Sequence, residues 1–326
     1  SELCPHSVQM LELQAAASRA IARVYGCEAG CVTGCTAGSI SIAMAAAMTG
    51  RNVGRVEQLP DTTGMKNEVI VPKAHVVSYG HDVTQSVRIT GAKVDEIGFA
   101  TELSRYQIEH AIGEQTAAAL FVVSHLTPQN KITTLKAFAE ICHSHHVPVI
   151  VDAASQPDPR VYLEAGADLV LFSTQKALAG LTGGVIAGKM EAVQACMYQQ
   201  HGIGRPMKPG KETVVGARAA IERWEKTDWD VEQLSLAKRM GEFADRLCSL
   251  PGFSARVAKS QVCVTVDPQE AGISASRIAR ELLNSDPMIV VWDHHAPAGE
   301  LRLTLKLVSD QQANICLIYT SDAADE

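Results

Sequence analysis

Short apolar runs alternate with amphipathic stretches along the chain up to Gly188. The runs Val147–Val151 and Ala167–Phe172 are continuous rather than alternating, which is typical of strands buried on both faces of a parallel sheet. Further strands are predicted over Ala29–Thr33, Asn67–Pro72, 92–98 and Ala118–Ser124. Helices are predicted over Val8–Tyr25, Ile40–Met48, Glu102–Ile112 and Thr133–His145. This order predicts an α/β large domain in which a mostly parallel sheet forms the middle of three layers.

The remainder of the chain has a different pattern. Its predicted helices are Thr213–Lys226, Val231–Leu247 and Ser274–Asn284, and its predicted strands are Ser260–Val266 and Leu301–Leu307. A length of 326 residues favours one large and one small domain. We therefore predict a large domain over 1–215 and a smaller α+β C-terminal domain over 216–326.

The two best-defined strands each lead into a chemically reactive residue. The first run is followed by Asp152, and the second by Ser173, Thr174 and then Lys176. Because ligands bind beyond the carboxyl ends of strands in an open α/β sheet, Asp152 and Lys176 are expected to face one crevice. A lysine partly desolvated there would have a lowered pKa and act as a nucleophile. A lysine and an acid for a protonated ring nitrogen are what pyridoxal 5'-phosphate requires, although either residue alone could merely cap or solvate a turn.

A glycine-bearing turn opens the predicted helix at Ile40 and reads GCTAGS over 34–39. Free backbone N–H groups and the positive end of the helix dipole favour an anion at such a turn. The turn matches neither the dinucleotide fingerprint nor the P-loop pattern. A single phosphate fits best, and a plain structural turn is the alternative.

Three histidines follow predicted strands. His81 lies in the segment after Asn67–Pro72 and is the better candidate to stack on a cofactor ring and assist proton transfer, with His75 a weaker one. His125 follows Ala118–Ser124 and so also lies at a carboxyl end. Ordinary loop histidines are the alternative interpretation.

Three arginine or lysine side chains are candidates for binding an anionic substrate. Arg205 and Lys208 lie in a glycine- and proline-rich segment, and an arginine offers a bidentate fork to a carboxylate. Arg302, in the last predicted strand, could clamp an α-carboxylate. A solvated basic loop and an outward-facing strand arginine are the respective alternatives.

Composition narrows the function classes. A net charge of −7 argues against a protein that follows nucleic-acid phosphates. No apolar run reaches the ~18 residues of a membrane span, and the N-terminus shows no secretory signal. The nine scattered cysteines suit a reducing cytoplasm. Cys27, Cys31 and Cys35 recur every four residues, but glycines interrupt them and no fourth ligand follows at zinc-like spacing, so no metal site is expected.

Together, five stretches between Met10 and Glu222 resemble the fold type I pyridoxal-phosphate enzymes. Within that class they are similar to the group that includes bacterial selenocysteine synthase (L-seryl-tRNA(Sec) selenium transferase) and D-glucosaminate-6-phosphate ammonia-lyase. The stretches are LQAAASRAIARVYGCEAGCVTGCTAGSISIA, VSYGHDVTQSVRITGAKVDEIG, VDAASQ, FSTQKALAGLTGGVIAGK and GRPMKPGKETVVG.

The resemblance implies roles for individual residues. It makes Lys176 the lysine that forms the Schiff base with the cofactor and Asp152 the partner of the pyridinium nitrogen. The implied phosphate-binding residues are Cys35, Thr36, Ala37 and Ser173, and the implied binders of anionic ligands are Arg205 and Lys208. The sequence begins near the first helix, without the N-terminal segment that selenium transferases use for tRNA, so neither a tRNA substrate nor selenium transfer is expected.

These observations predict a cytoplasmic pyridoxal-phosphate lyase that forms a homodimer or larger homo-oligomer with shared active sites. Its expected reaction is α,β-elimination from a small anionic amino acid, which yields a 2-oxo acid and ammonia. Racemisation, aldol cleavage and transamination would use the same lysine and aspartate. A scaffold or regulatory protein that kept the fold without chemistry is the alternative of another class.

Overall fold

The computed structural model describes residues 5–128, 131–156 and 158–325. The chain forms two compact units, one that extends to Lys226 and one that begins at Thr227. The boundary predicted at 215/216 falls inside a helix, Lys211–Lys226. That helix packs along the first helix of the chain, and Arg23 pairs with Glu225 at 2.9 Å, so the whole helix belongs to the first unit.

The first unit contains a seven-stranded sheet and the helices that cover it. The strands are β1 (Ala29–Thr33), β2 (Glu68–Pro72), β3 (Lys93–Ile97), β4 (Thr116–Val122), β5 (Val149–Asp152), β6 (Leu169–Ser173) and β7 (Gly184–Gly188). The helices are α1 (Met10–Tyr25), α2 (Thr36–Thr49), α3 (Val53–Gln58), α4 (Val83–Arg88), α5 (Arg105–Ala111), α6 (Leu135–Ser144), α7 (Arg160–Glu164), α8 (Met190–Tyr198) and α9 (Lys211–Lys226).

The strand order is β1-β7-β6-β5-β4-β2-β3, and the strands from β6 to β3 run parallel. The mostly parallel sheet is therefore confirmed. The glycine-flanked strand β7 was not predicted, and it pairs antiparallel with both β1 and β6. Asp152 pairs with Leu171 across β5 and β6, which places the carboxyl ends of these strands side by side.

Helix α2 begins at Thr36, four residues earlier than predicted, because Cys35 caps it. The Cys35 thiol sulfur accepts a hydrogen bond from the Gly38 N–H at 3.3 Å, and Cys35 has extended backbone geometry. The predicted phosphate-binding residues Thr36 and Ala37 are thus the first residues of the helix, where N–H groups have no intrahelical partners.

Side chains of α1 cover the edge strand β1. Gln14 donates to the Val32 carbonyl at 2.7 Å and accepts from the Val32 N–H at 2.9 Å. Ser18 accepts from the Gly30 N–H at 3.1 Å. These bonds satisfy backbone groups that an edge strand would otherwise expose to another chain.

The second unit is α+β, as predicted. Its antiparallel sheet has the order β10-β9-β8. Its elements are α10 (Trp229–Cys248), β8 (Phe253–Ala258), β9 (Gln261–Val266), α11 (Ala275–Asn284), β10 (Glu300–Leu303) and α12 (Asp310–Asp325). The strand predicted to reach Leu307 ends at Leu303, because the chain turns and Leu307 adopts a φ of +66°. In the ranges that the structure describes, no helix is long and apolar enough to span a membrane.

Candidate active site

Asp152 is a buried acid at the carboxyl end of a central strand. It is 4 % exposed, and its carboxylate accepts a hydrogen bond from the Ala154 N–H at 3.1 Å. Burial raises the pKa of Asp152 to about 6, while this hydrogen bond and the positive charge of Lys176 act to lower it. Lys176 follows the neighbouring parallel strand β6, whose carboxyl end lies beside that of β5, as the prediction that the two residues face one crevice requires.

Lys176 lies in the turn that follows β6, and its side chain is exposed. This corrects the expectation that this chain's own residues partly desolvate the lysine. The flanking Ala177 and Leu178 are buried, but they lie on the inner side of the turn and leave the lysine facing outward. In this chain by itself, the amine has room to accept a large group.

Hydrogen bonds from neighbouring residues hold the backbone of the lysine turn. The Thr174 hydroxyl, fully buried, donates to the Gly183 carbonyl at 3.1 Å. Gln175 accepts from the Ser173 hydroxyl at 2.6 Å and from the Gly183 N–H at 3.2 Å. Arg223 of α9 donates to two carbonyls of the turn. Sequence reasoning missed these supporting roles, because they depend on contacts with β7 and α9.

The start of α2 offers an unpaired polar atom next to free amides. Within the described residues, the Thr36 hydroxyl is buried and has no hydrogen-bond partner. Such an atom costs free energy unless something pairs with it. An added Cβ at Gly184 would lie 2.6 Å from the Cys35 carbonyl carbon and 2.6 Å from the Ser39 hydroxyl, so this glycine lets β7 approach the turn.

The three histidines have different environments. His75 is 2 % exposed, its Nδ1 accepts from the Val122 N–H at 3.3 Å, and burial lowers its pKa to about 4. It is therefore a neutral core residue with its ring against Phe121. His81 is half-buried and its ring lies edge-on to Tyr79, whereas His125 is exposed after β4.

Tyr79 is a further candidate residue, which sequence reasoning did not single out. Its pKa is raised, first by burial of the hydroxyl and then by the negative charge of Asp152, with smaller effects from Cys35 and Asp82. An aromatic residue two positions before His81 was the available signal.

Arg205 and Lys208 line a cavity of about 450 Å³ together with Lys211 and residues of the N-terminal segment. Asp152 and Lys176 do not line this cavity. The cationic segment nevertheless lies against the start of α2, since the Gly34 N–H donates to the Met207 carbonyl at 2.9 Å.

Arg302 lies in β10, as predicted. Its guanidinium donates to the Glu300 carboxylate at 2.7 Å on the same strand. Any carboxylate that Arg302 is to clamp must therefore compete with Glu300.

Residues 12–311 match the family model described as SelA, L-seryl-tRNA selenium transferase. The chain belongs to this family. The match includes both units and all of the candidate site residues named above.

Two curated relatives span most of this SelA-family chain. The 5'-C-glycyluridine monooxygenase-decarboxylase of a Streptomyces species is 36 % identical over 311 residues, 93 % of this chain and 78 % of that protein. The D-glucosaminate-6-phosphate ammonia lyase of Salmonella typhimurium is 31 % identical over 278 residues, 83 % of this chain and 74 % of that protein. Despite the family's name, these two relatives carry different activities.

A solved structure has nearly the same fold as this SelA-family member. D-Glucosaminate-6-phosphate ammonia-lyase superposes with a TM-score of 0.92 and 30 % sequence identity, over 99 % of this chain and 89 % of that chain. The predicted fold type I architecture and the resemblance to the selenocysteine synthase and ammonia-lyase group are thereby confirmed.

Proposed function

We propose that the protein is a pyridoxal 5'-phosphate-dependent lyase that acts on a small anionic amino acid. The proposed reaction removes the α-proton and a β-hydroxyl or similar group, and it yields a 2-oxo acid and ammonia. For a β-hydroxy amino acid the balance is simple, because the water lost in elimination is regained when ammonia is released. The relatives named as ammonia-lyases support this reaction class.

One observation carries the proposal: a buried acid ends one strand, and a lysine follows the end of the adjacent parallel strand. The acid is 4 % exposed, yet among the described residues its carboxylate accepts a single hydrogen bond, from the Ala154 backbone N–H. Burying a carboxylate with so little compensation is costly unless a ligand completes the site.

The residues present fit pyridoxal phosphate. The unpaired Thr36 hydroxyl and the first amides of α2 suit a phosphate, and Asp152 suits a protonated ring nitrogen. When bound, this cofactor supplies an electron sink that stabilises negative charge at the substrate α-carbon. Lys176 is the amine that would attach the cofactor aldehyde.

A second role proposed for Lys176 is proton transfer at the substrate. Its free amine would take the α-proton as a general base and could return a proton to the departing group. The exposed side chain has the freedom to move between these positions. Hydrogen bonds at Thr174 and Gln175 would hold the backbone of the turn while the side chain moves.

The phosphate would bind where Cys35, Thr36 and Ala37 begin α2, with Ser173 nearby. The Ser173 hydroxyl donates to Gln175, so it would have to exchange this partner in order to donate to the phosphate. His81 and His125 remain proposed to cover the cofactor and assist proton transfer. Their positions, after β2 and β4, lie at the same edge of the sheet as Asp152.

Arg205 and Lys208 would bind an anionic group of the substrate. Both are exposed and line the cationic cavity, while the adjacent segment touches the start of α2. Arg302 remains a proposed clamp for the α-carboxylate.

We further propose that the enzyme is a cytoplasmic homodimer or larger homo-oligomer. The exposure of Lys176 supports a partner subunit, because chemistry at an α-carbon benefits from exclusion of water. Three of the exposed large apolar side chains also follow β2, β3 and β4, near the edge that carries Asp152; they are Tyr79, Phe99 and Leu126.

A decarboxylase is the second candidate function. It is favoured by the 36 % identity to a protein named as a monooxygenase-decarboxylase, which exceeds the identity to the ammonia lyase. Lys176 and Asp152 would have the same roles, but the bond that breaks would be the one between the α-carbon and the carboxylate.

Borohydride labelling tests the cofactor and the lysine together. Protein loaded with pyridoxal phosphate should show a visible absorption band that borohydride bleaches, and peptide mapping should place a pyridoxyl group on Lys176. Lys136→Ala, at an exposed position on α6, is the matched control and should label like the parent. A parent protein that neither binds the cofactor nor labels Lys176 would refute the proposal.

Product analysis separates the reaction classes. Incubation with β-hydroxy amino acids and sugar amino acids should release ammonia and 2-oxo acid in equal amounts without an added acceptor. Carbon dioxide release, with consumption of oxygen, would instead support the decarboxylase. Loss of optical rotation without either product would indicate a racemase.

A further inference from the structure

The turn that carries Lys176 contains a residue whose backbone conformation costs free energy. Ala179 adopts a φ of +47°, in the left-handed region. Residues other than glycine rarely adopt this region, because the Cβ comes too close to the following carbonyl oxygen. They keep it only where their surroundings hold them there. The Ala179 N–H donates to the Lys176 carbonyl at 3.1 Å, so a relaxation of Ala179 would disturb the backbone of the lysine.

Helix α9 packs directly on this turn. The Gly180 N–H donates to the Thr174 carbonyl at 2.7 Å and closes the turn. An added Cβ at Gly180 would lie 2.8 Å from the Ala220 side chain, and one at Gly216 would lie 2.7 Å from the Leu181 side chain. The two glycines therefore allow a close approach between the helix and the turn, and side chains of α9 can reach the backbone of the turn.

Arg223 is the α9 side chain that meets the backbone at the strained residue. Its guanidinium donates to the Leu178 carbonyl and to the Ala179 carbonyl, the second at 3.1 Å. One of these carbonyls precedes the φ and ψ bonds of Ala179 and the other follows them. A single guanidinium thus fixes the peptide groups on both sides of Ala179, with charge-assisted hydrogen bonds, which are stronger than neutral ones.

The end of α9 that carries Arg223 is itself anchored. Trp224, the next residue, is 7 % exposed, and its ring centroid lies 5.3 Å from that of Tyr25 in α1. On the same ring, the Arg160 guanidinium lies 4.9 Å from the centroid. Arg223 therefore extends from a fixed helix end and can hold the turn in one place.

We propose that Arg223 is a positioning residue for Lys176. By holding the two peptide groups around Ala179, it keeps the turn in the conformation from which the Lys176 side chain starts. Arg223 acts through the backbone of the turn. The inference rests on the proposed function for the role of Lys176, whereas the effect on the turn itself is measurable without a cofactor.

Hydrogen exchange in the cofactor-free protein tests the effect on the turn. Arg223→Met should speed exchange of the Ala179 and Gly180 amides about fivefold, because the lost hydrogen bonds are charge-assisted but the arginine is exposed to water. Arg218→Met is the matched control, because this arginine lies on the same helix and donates to Glu222 at 2.7 Å. It should leave exchange in the turn unchanged.

Titration with pyridoxal phosphate, with borohydride trapping at Lys176, tests the effect on the lysine. Arg223→Met should raise the apparent Kd about fivefold, because only the fraction of molecules with the native turn presents the amine correctly. Arg223→Lys keeps a charged donor and should recover part of this affinity. Arg218→Met should bind as the parent does.

A second substitution distinguishes positioning from a merely structural role. Glycine adopts a positive φ without the cost that alanine has. Ala179→Gly in the Arg223→Met background should therefore bring the apparent Kd back towards that of the parent, while Ala179→Gly alone should change it little. Loss of α9 stability would not be repaired at Ala179, and thermal unfolding would report that loss as a lowered Tm.

An unchanged Kd in Arg223→Met, whether or not exchange is faster, would overturn the inference and leave the proposed function standing. A raised Kd that Ala179→Gly does not lower, together with a lowered Tm, would also overturn it. A parent protein in which Lys176 does not react with pyridoxal phosphate would overturn the proposed function, and the role of Arg223 with it.

Discussion

Two buried aspartates lie near opposite ends of strands β5 and β6, and their pKa values are shifted in opposite directions. Asp152 ends β5, is 4 % exposed, and accepts one hydrogen bond, so burial raises its pKa to about 6. Asp168 precedes β6 and is 5 % exposed. Burial acts to raise its pKa too, but hydrogen bonds from Lys189, the Val149 N–H and His143 hold the pKa below its ordinary value.

This difference distinguishes an acid that the chain itself stabilises, Asp168, from an acid that is a candidate for ligand binding, Asp152. The Val149 N–H lies 2.6 Å from the Asp168 carboxylate, and His143 Nε2 lies 2.8 Å from it, so the chain itself satisfies this acid. At the carboxyl end of β5, one hydrogen bond from the described residues offsets little of the cost of burying the Asp152 carboxylate. A buried acid that its own chain does not satisfy is a candidate for a ligand, because the native state tolerates the cost for function.

Replacing the lysine opposite Asp152 should have the largest effect. Lys176→Ala should lower turnover about a thousandfold or more, because it removes both the attachment point and the general base. Stability should hardly change, since the side chain is exposed. Steady-state kinetics with circular dichroism as a fold check would measure both, and full activity would contradict the assignment.

Asp152→Asn should lower turnover about a hundredfold or more while sparing the fold. An amide does not stabilise the positive charge on the ring nitrogen, and it removes the burial cost of the carboxylate. We expect the cofactor-free variant to be at least as stable as the parent at pH 7 in urea unfolding. A large loss of stability would show that Asp152 is a structural acid after all.

Asp168→Asn should have the reverse effects of Asp152→Asn: it should lower stability and leave turnover almost unchanged. It replaces an acid that holds three donors, so the free energy of unfolding should fall by about 2–4 kcal/mol. Turnover per folded molecule should remain near that of the parent, because Asp168 lies near the other end of the strands. Loss of turnover without loss of stability would contradict the comparison.

The dependence of the free energy of unfolding on pH should include a contribution from Asp152. Its pKa of about 6 lies above the ordinary 3.8, so the folded state binds a proton more readily between these values. The free energy of unfolding therefore falls as pH rises from about 4 to 6, by up to ~3 kcal/mol from this group. Buried His75 has the opposite slope, because its pKa is lowered to about 4. The difference between the cofactor-free parent and Asp152→Asn isolates the Asp152 contribution, and urea unfolding at several pH values would measure it.

The smallest effect on stability should come from replacing Lys189, one of the donors to the Asp168 carboxylate. Lys189→Met should cost about 1 kcal/mol or less, because its side chain is 59 % exposed and two other donors remain on Asp168. Urea unfolding beside Asp168→Asn would show whether the three donors contribute separately. A loss as large as that of Asp168→Asn would mean that Lys189 alone stabilises the acid.

Local patterns were sufficient for much of this protein. Continuous apolar runs predicted the parallel strands, and the residues after two of them predicted the proximity of Asp152 and Lys176. Neither the antiparallel strand β7 nor the early start of α2 was predicted, because the first depends on pairing with β1 and the second on a cysteine cap.

By itself, then, the sequence determined the fold class, the edge of the sheet at which Asp152 and Lys176 lie, and the residue types present there. These follow from periodicity and from strand ends, which are local properties. The tertiary structure alone decided which side chains are buried and which have hydrogen-bond partners: it buried His75, exposed Lys176 and supplied partners to Asp168. The physical reason is that burial and hydrogen-bond partnership depend on residues far apart in the chain, and only folding brings these residues together.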